Sequence, residues 1–184
     1  MSKPVCLVTA PVATRSGYGA HSRDICRALI KLDRYDVKIW SVRWGSTPMN
    51  ALDESDPNDV QIIERLLSTP ELPKQPELHI HIVIPNEFSP LGKYNIGITA
   101  GLETTACPPE WIQGINRMNL NIVPANFVKD VLNKVQFDIQ DDKTGQVQGS
   151  LRNEKPLEVL FEGADTNVFK QTNEFTQEFV DEMG

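Results

Sequence analysis

The chain has 184 residues, of which 40% are hydrophobic and 23% are charged; this composition predicts one globular domain and excludes a wholly disordered chain. Its formal net charge of −7 argues against binding nucleic acid through a basic face, although backbone N–H groups can still hold a small anion. No apolar run approaches the roughly 20 residues of a membrane helix, no signal peptide is evident, and three cysteines without a Cys-x-x-Cys pair favour buried thiols in the cytoplasm.

The first forty residues predict a β-α-β unit. The apolar run at 5–10 indicates a buried strand, and Ile25, Leu29 and Leu32 then recur at helical spacing. Alternating residues at 36–42 indicate a second strand. Two such strands joined through a helix are expected to lie parallel, with a right-handed crossover.

The rest of the chain repeats this alternation. Further strands are predicted at 78–85, 94–99, 120–125 and 157–165, and further helices at 56–67, 108–118, 126–135 and 173–184. Asp56 and Asn126 are the expected N-caps of two of these helices. The polar segment at 137–155 predicts a surface hairpin inserted into the series. The fold class is therefore α/β: a Rossmann-like, doubly wound and mostly parallel sheet of about five to seven strands.

A glycine-bearing loop joins the first predicted strand to the first predicted helix. Gly17 and Gly19 lie just before the expected helix start, where N–H groups and the helix dipole favour an anion. Ser16 and Tyr18 add hydroxyl groups that can donate hydrogen bonds. The pattern favours a phosphate-binding loop; the alternative is that the two glycines only form a sharp turn.

Two well-known phosphate loops do not match this segment. The chain has no G-x-x-x-x-G-K-[S/T] run, and the dinucleotide pattern G-x-G-x-x-G fails because its third glycine is replaced by Ser22. Arg43, rather than an acidic residue, follows the second strand. Because an arginine there can hold the 2′-phosphate of NADP, an NADP-dependent oxidoreductase stays open as a weaker alternative.

Three segments resemble retaining GT-B-fold glycosyltransferases of the large group that uses nucleotide-activated sugars. SGYGAHSRDICRALIKLDRYDVKIW (16–40) resembles their glycine loop, helix and strand. YNIGITAGLETTACPPEWIQGINRMNLNIVPANFVKDVL (94–132) resembles their strand, Glu-Thr pair, Pro-x-x-Trp helix and Val-Pro turn, with Ala125 where those proteins usually have serine. FEGADTNVF (161–169) resembles the segment that closes their N-terminal domain.

This resemblance implies that residues 1–169 are the acceptor-side domain and that 170–184 lead towards a donor-binding domain. The implied enzyme transfers a sugar from a nucleotide-sugar to an unknown acceptor, and the 184-residue chain alone is expected to be inactive. The nucleotide-sugar is a substrate, and no cofactor or metal is expected. The alternative is a non-catalytic Rossmann-like module that binds glycan or nucleotide, or docks on another chain or a second copy of itself.

The candidate site residues come from the expected carboxyl ends of the strands. The resemblance implies that the glycine loop approaches the donor diphosphate and that Glu103 orients the acceptor or the loop. The implied substrate-binding residues are Ser16, Gly17, Tyr18, Gly19, Arg43, Glu103, Thr104 and Asn126, and the catalytic candidates are His21 and Glu103. His79 and His81 share one face of a strand; without a second ligand cluster, a solvated or interface face is expected rather than half a metal site.

Overall fold

The computed structural model describes residues 2–141, 143–166, 169–171 and 176–183. The strands are β1 (Val5–Ala10), β2 (Asp36–Ser41), β3 (Leu78–Ile82), β4 (Tyr94–Ile98), β5 (Leu120–Val123), β6 (Gln136–Gln140), β7 (Val147–Arg152) and β8 (Leu157–Val159). The helices are α1 (Gly17–Leu32), α2 (Pro57–Ile63), α3 (Pro109–Arg117), α4 (Asn126–Lys134) and α5 (Gln177–Met183), with a 3₁₀ turn at Pro85–Glu87.

Six strands form one sheet in the order β2-β1-β3-β4-β5-β8, and every neighbouring pair is parallel. This confirms the predicted α/β class. The direction in which successive strands are added to the sheet reverses between β1 and β3. The chain places β2 on one side of β1, and then places β3 and the later strands of the sheet on the other side. In open parallel sheets, ligands bind beyond the carboxyl ends of the strands at such a reversal.

Two large apolar clusters and a smaller one around Phe88 fill the interior of the described part of the chain. Of the two large clusters, one lies around β1, with Val8, Cys26 of α1 and Ile39 of β2 fully buried; the other lies between α3, α4 and the β5 side of the sheet, around Ile112 and Leu132. The three cysteines are free and buried, as predicted. Burial raises the pKa of Cys6 and of Cys26 to about 12, so both remain thiols.

The segment at 137–155 contains an antiparallel hairpin, β6 and β7, which is separate from the main sheet. Phe137 and Leu151 pack from the hairpin onto the cluster between α3 and α4. Asn116 of α3 adds two hydrogen bonds, donating to the carbonyl of Arg152 at 2.8 Å and accepting from the N–H of Glu154 at 2.9 Å. The hairpin is thus an addition to the outside of the domain.

The predicted helix caps have different outcomes. Asp56 caps α2, since its Oδ1 accepts from the N–H of Asn58 at 2.8 Å and Pro57 occupies the first turn. The expectation for Asn126 is wrong: Ala125 has the extended N-cap backbone of α4, and Asn126 is the first helical residue. Alanine has no side-chain oxygen, so α4 begins without a side-chain cap.

Several predicted elements are shorter in the structure: the helix predicted at 56–67 ends at Ile63, and the strand predicted at 78–85 ends at Ile82. The last strand of the sheet ends at Val159, before the predicted 165, because the chain leaves the sheet there and runs past the start of α1. The predicted closing helix at 173–184 is seen as α5; residues 173–175 and 184 lie outside the described part of the chain. In that described part, no helix is long and apolar enough to cross a membrane.

Candidate functional site at the start of the first helix

The loop after β1 delivers the chain to the N-terminus of α1 at the carboxyl edge of the sheet. Ser16 is the N-cap, and its Oγ accepts from the N–H of Gly19 at 2.9 Å. The same Oγ lies 2.8 Å from Thr14 Oγ1, which donates its hydrogen to the carbonyl of Pro11 at 2.8 Å. Ser16 must therefore donate to Thr14, so both its donor and its acceptor functions are engaged within the loop. In this arrangement the Ser16 hydroxyl holds the start of the helix.

Gly17 and Gly19 differ in their surroundings. A Cβ on Gly19 would lie 2.2 Å from the carbonyl oxygen of Thr14, so packing of α1 against the loop requires glycine at that position. A Cβ on Gly17 would have no atom within 4 Å, and the backbone of Gly17 is not in the left-handed region. Neither packing nor conformation therefore explains why residue 17 is a glycine.

The backbone N–H groups at this helix start are partly free. Among the described residues, no acceptor is hydrogen-bonded to the N–H of Gly17 or of Tyr18, whereas that of Gly19 is bonded to Ser16. Free N–H groups at a helix start carry the positive end of the helix dipole. The first turn of α1 also contains no acidic residue that would oppose an anion.

Tyr18 joins three parts of the sheet edge. Its hydroxyl lies 2.9 Å from Thr99 Oγ1 and accepts from the N–H of Ala100 at 3.1 Å, directly after β4. Its ring stacks on Trp44, after β2, with the ring centroids 4.1 Å apart. Burial, the largest effect, raises the pKa of Tyr18, so the phenol stays neutral. Tyr18 is thus a positioning residue that fixes the start of α1 rather than an open donor.

A cavity of about 930 Å³ begins at Gly17 and runs along the outside of α1. It is lined by Gly17, His21 and Asp24 of α1, by Asp56 at the start of α2, and by Glu162 and Phe169 after β8. His21 Nδ1 lies 3.6 Å from Glu162 Oε1, which places the chain after β8 against the first turns of α1. The structure therefore brings two predicted residues, Gly17 and His21, together with Glu162.

Among the charged side chains along this cavity, acidic ones outnumber basic ones. Asp24 is paired with Arg27 at 3.2 Å, and Arg27 also binds the buried Asp59 of α2 at 2.6 Å. Since this arginine is already paired, the cavity gives an anion little side-chain charge to bind. A phosphate would be favoured only at the helix start, while carboxylates such as Glu162 suit the hydroxyl groups of a neutral ligand.

The other predicted site residues lie outside this cavity. Arg43 and Glu103 are exposed, and neither has a hydrogen bond or ion pair within the described residues. Thr104 donates to the carbonyl of Ala106 at 2.7 Å, and Asn126 is exposed at the start of α4. The structure does not gather these four residues around Gly17.

His79 and His81 correct the expectation of a solvated or interface face. They are 0% and 8% exposed, on the face of β3 that the β3–β4 connection covers. Burial lowers the pKa of each ring to about 4, so both imidazoles are neutral at pH 7. Among the residues that the structure describes, no group of three or more His, Cys, Asp or Glu side chains is placed to hold a metal ion.

No match was found among protein-family models, curated proteins or solved structures. Inference about function therefore comes from the residues and their geometry. Sequence reasoning missed Thr99 as the partner of Tyr18. The one feature of the sequence that could have indicated Thr99 was its position at the end of the strand predicted at 94–99.

Proposed function

We propose that this chain is the acceptor-side domain of a retaining GT-B-type glycosyltransferase, which transfers a sugar from a nucleotide-sugar when a donor-binding domain completes it. Three features support the proposal: the parallel Rossmann-like sheet, the sequence resemblance at 16–40, 94–132 and 161–169, and the form of the loop before α1. The chain alone is expected to transfer no sugar, because the donor-binding contacts would come from the other domain.

The observation that carries the proposal is the empty space beside Gly17. The fold needs no glycine there, yet the missing side chain opens the helix start to the 930 Å³ cavity. A ligand that must approach the backbone closely would need this space. The N–H groups of Gly17 and Tyr18 point to an anionic group as that ligand.

The N–H groups, Tyr18 and Glu162 would each have a different role in the transfer reaction. The two free N–H groups would stabilise the negative charge that develops on the leaving phosphate as the glycosidic bond breaks. Tyr18, fixed by Thr99 and Trp44, would keep them in place before the ligand arrives. Glu162, close to His21, would accept hydrogen bonds from sugar or acceptor hydroxyls.

Thermal-shift titration of the whole chain tests this binding role. The panel contains nucleoside diphosphates, nucleotide-sugars, simple sugars and nicotinamide cofactors, each with wild type, Gly17→Val and Gly149→Val. Gly149 lies in the hairpin and also has open space at its Cβ position, so it is a matched control. We expect nucleotides or nucleotide-sugars to stabilise wild type and Gly149→Val, with at least about a tenfold loss of affinity in Gly17→Val, since the valine occupies the ligand's space.

Three results would contradict the proposal. Nucleotide stabilisation that is unchanged in Gly17→Val would remove the helix start from the site. Stabilisation by nicotinamide cofactors alone would favour the oxidoreductase alternative. Sugar transfer at normal turnover by the 184-residue chain alone would show that no second domain is needed.

A further inference from the structure

The connection between β3 and β4 is attached to the sheet through two histidine rings. The N–H of Ser89 donates to His81 Nδ1 at 3.1 Å, and the N–H of Leu91 donates to His79 Nδ1 at 3.4 Å. Phe88, which is 2% exposed, lies against Gly97 of β4, where an added Cβ would be 2.5 Å from its ring. Residues 85–92 thus cover a face of the sheet that in most parallel folds is covered by a helix.

Both imidazoles must carry their single proton on Nε2, because each Nδ1 accepts a backbone hydrogen bond. His79 Nε2 lies 3.0 Å from Thr9 Oγ1 of β1, which can accept that proton. No carboxylate among the described residues is hydrogen-bonded or ion-paired to either ring. A protonated ring would therefore have no negative partner.

The two rings face polar side chains from β1 and β4, and the ring of Phe88 lies 6.1 Å from that of His81 between centroids. Thr9 faces the pair from β1 and Asn95 from β4, while the two rings lie 5.4 Å from each other between centroids. From α3, Arg117 donates to the carbonyls of Phe88 and Asn86, both at 2.8 Å. Burial has the largest effect on the pKa of His81, and the charge of His79 lowers it further, so the two rings oppose each other's protonation.

Residues 85–92 are also connected to the candidate site, through Trp44. Trp44 packs against the buried cluster that contains Phe88, and the ring of Trp44 stacks on Tyr18 at the start of α1. The position of this segment therefore affects the packing of Trp44 against Tyr18.

We propose that His79 and His81 form a proton-operated latch that holds residues 85–92 against the sheet and releases them on acidification. Protonation turns Nδ1 from an acceptor into a donor, which then faces the N–H of Ser89 or Leu91 and breaks that hydrogen bond. The proton comes from solvent and no other bond changes. The central sheet stays folded in the released state. The inference does not depend on which ligand the site binds.

The pH window follows from the direction of the pKa shifts. Burial lowers the pKa of both rings to about 4 in the closed segment, whereas a released, solvated ring regains about 6.5. The open state therefore binds more protons between these values, and opening becomes more favourable as the pH falls from 6.5 towards 4.

Amide hydrogen exchange of the whole chain, corrected for the intrinsic effect of pH, tests the latch. Between pH 7.5 and 4.5 we expect the amides of Ser89 and Leu91 to lose protection by about tenfold to a hundredfold, and to be less protected than those of Leu7 and Val8 in β1 at both pH values, because the segment opens without global unfolding. Nitrogen NMR of the imidazoles at pH 7.5 should show the Nε2–H form in both rings.

Three variants distinguish the loss of the Nδ1 hydrogen-bond acceptor from the effect of protonating the ring. In His81→Asn, and in the double variant with His79→Asn, the amide oxygen stands where Nδ1 stood and cannot titrate. The single variant should keep protection at Ser89 at both pH values, and the double variant should keep it at both Ser89 and Leu91. His81→Phe keeps a ring without the acceptor and should weaken protection of Ser89 at pH 7.5. Unchanged protection of Ser89 and Leu91 in wild type at pH 4.5, protection of these amides equal to that of Leu7 and Val8, or the same pH response in the double variant would each overturn the latch.

Discussion

At the scale of single residues, the two glycines of the first loop have separate purposes. Gly19 allows α1 to pack against the loop, since a Cβ there would lie 2.2 Å from the Thr14 carbonyl oxygen. Gly17 has no such neighbour and opens the helix start to the cavity. The sequence showed both glycines but could not distinguish these purposes, because the difference depends on what lies around each Cβ position.

This distinction predicts opposite effects on stability. Gly19→Ala should lower the free energy of unfolding by about 1–3 kcal/mol, because the backbone of the loop must move to admit the methyl group. Gly17→Ala should leave it unchanged or raise it by up to about 1 kcal/mol, because alanine is the better helix former in an open position. Urea unfolding of the two variants measures both values. Equal losses in the two variants would disprove the assignment.

At the scale of elements, Tyr18 connects α1 with the ends of β2 and β4. Tyr18→Phe keeps the ring that stacks on Trp44 and removes the hydroxyl that contacts Thr99 and Ala100. We expect it to cost about 1 kcal/mol of unfolding free energy, since the buried side chain of Thr99 loses one of its two hydrogen bonds and keeps only the one from the N–H of Gly101. It should also increase hydrogen exchange at Ala100. Tyr94→Phe is a suitable control, because Tyr94 is exposed; a similar cost in both variants would contradict the connecting role.

The β3–β4 connection shows why one face of the sheet could not be predicted. The alternation at 78–82 places His79 and His81 on one face, but a face that meets solvent and a face covered by a segment without a helix produce the same polar pattern. The cover comes from the segment around Phe88, which fits only because residue 97 is glycine. That match lies between residues distant in sequence and leaves no periodic signal.

At the scale of the whole molecule, the parallel sheet could be predicted because its strands and helices alternate with clear apolar patterns and with a strong start signal at Asp56 and Pro57. The site was harder to predict. The carboxyl ends of parallel strands lie at one edge of the sheet, and this rule places Arg43, Glu103 and Asn126 at that edge. It does not predict that these three residues lie outside the cavity at Gly17. The cavity itself depends on the path of the chain after β8, which no local pattern specifies.

The two buried histidines also predict the pH dependence of global stability. Their pKa values are lowered to about 4 in the folded chain, against about 6.5 when unfolded. Their contribution is therefore complete above pH 6.5 and is lost as the pH falls towards 4. Between pH 7 and pH 5, we expect the urea-unfolding free energy to fall by on the order of 1–2 kcal/mol for each ring. The double variant His79→Asn/His81→Asn should lose much less, and an equal loss would assign the effect to other groups.

All three cysteines are enclosed, and burial raises the pKa of each thiol, so the native protein offers no readily reactive sulfur. A pair of cysteines introduced at exposed positions would therefore react with a maleimide or a spin label under native conditions, while the three native cysteines would not. Glu87 on the β3–β4 connection and Lys143 in the hairpin turn are exposed positions for such a pair. Distances measured between spin labels at these two positions would report movement of the β3–β4 connection relative to the hairpin, because the native cysteines would not be labelled.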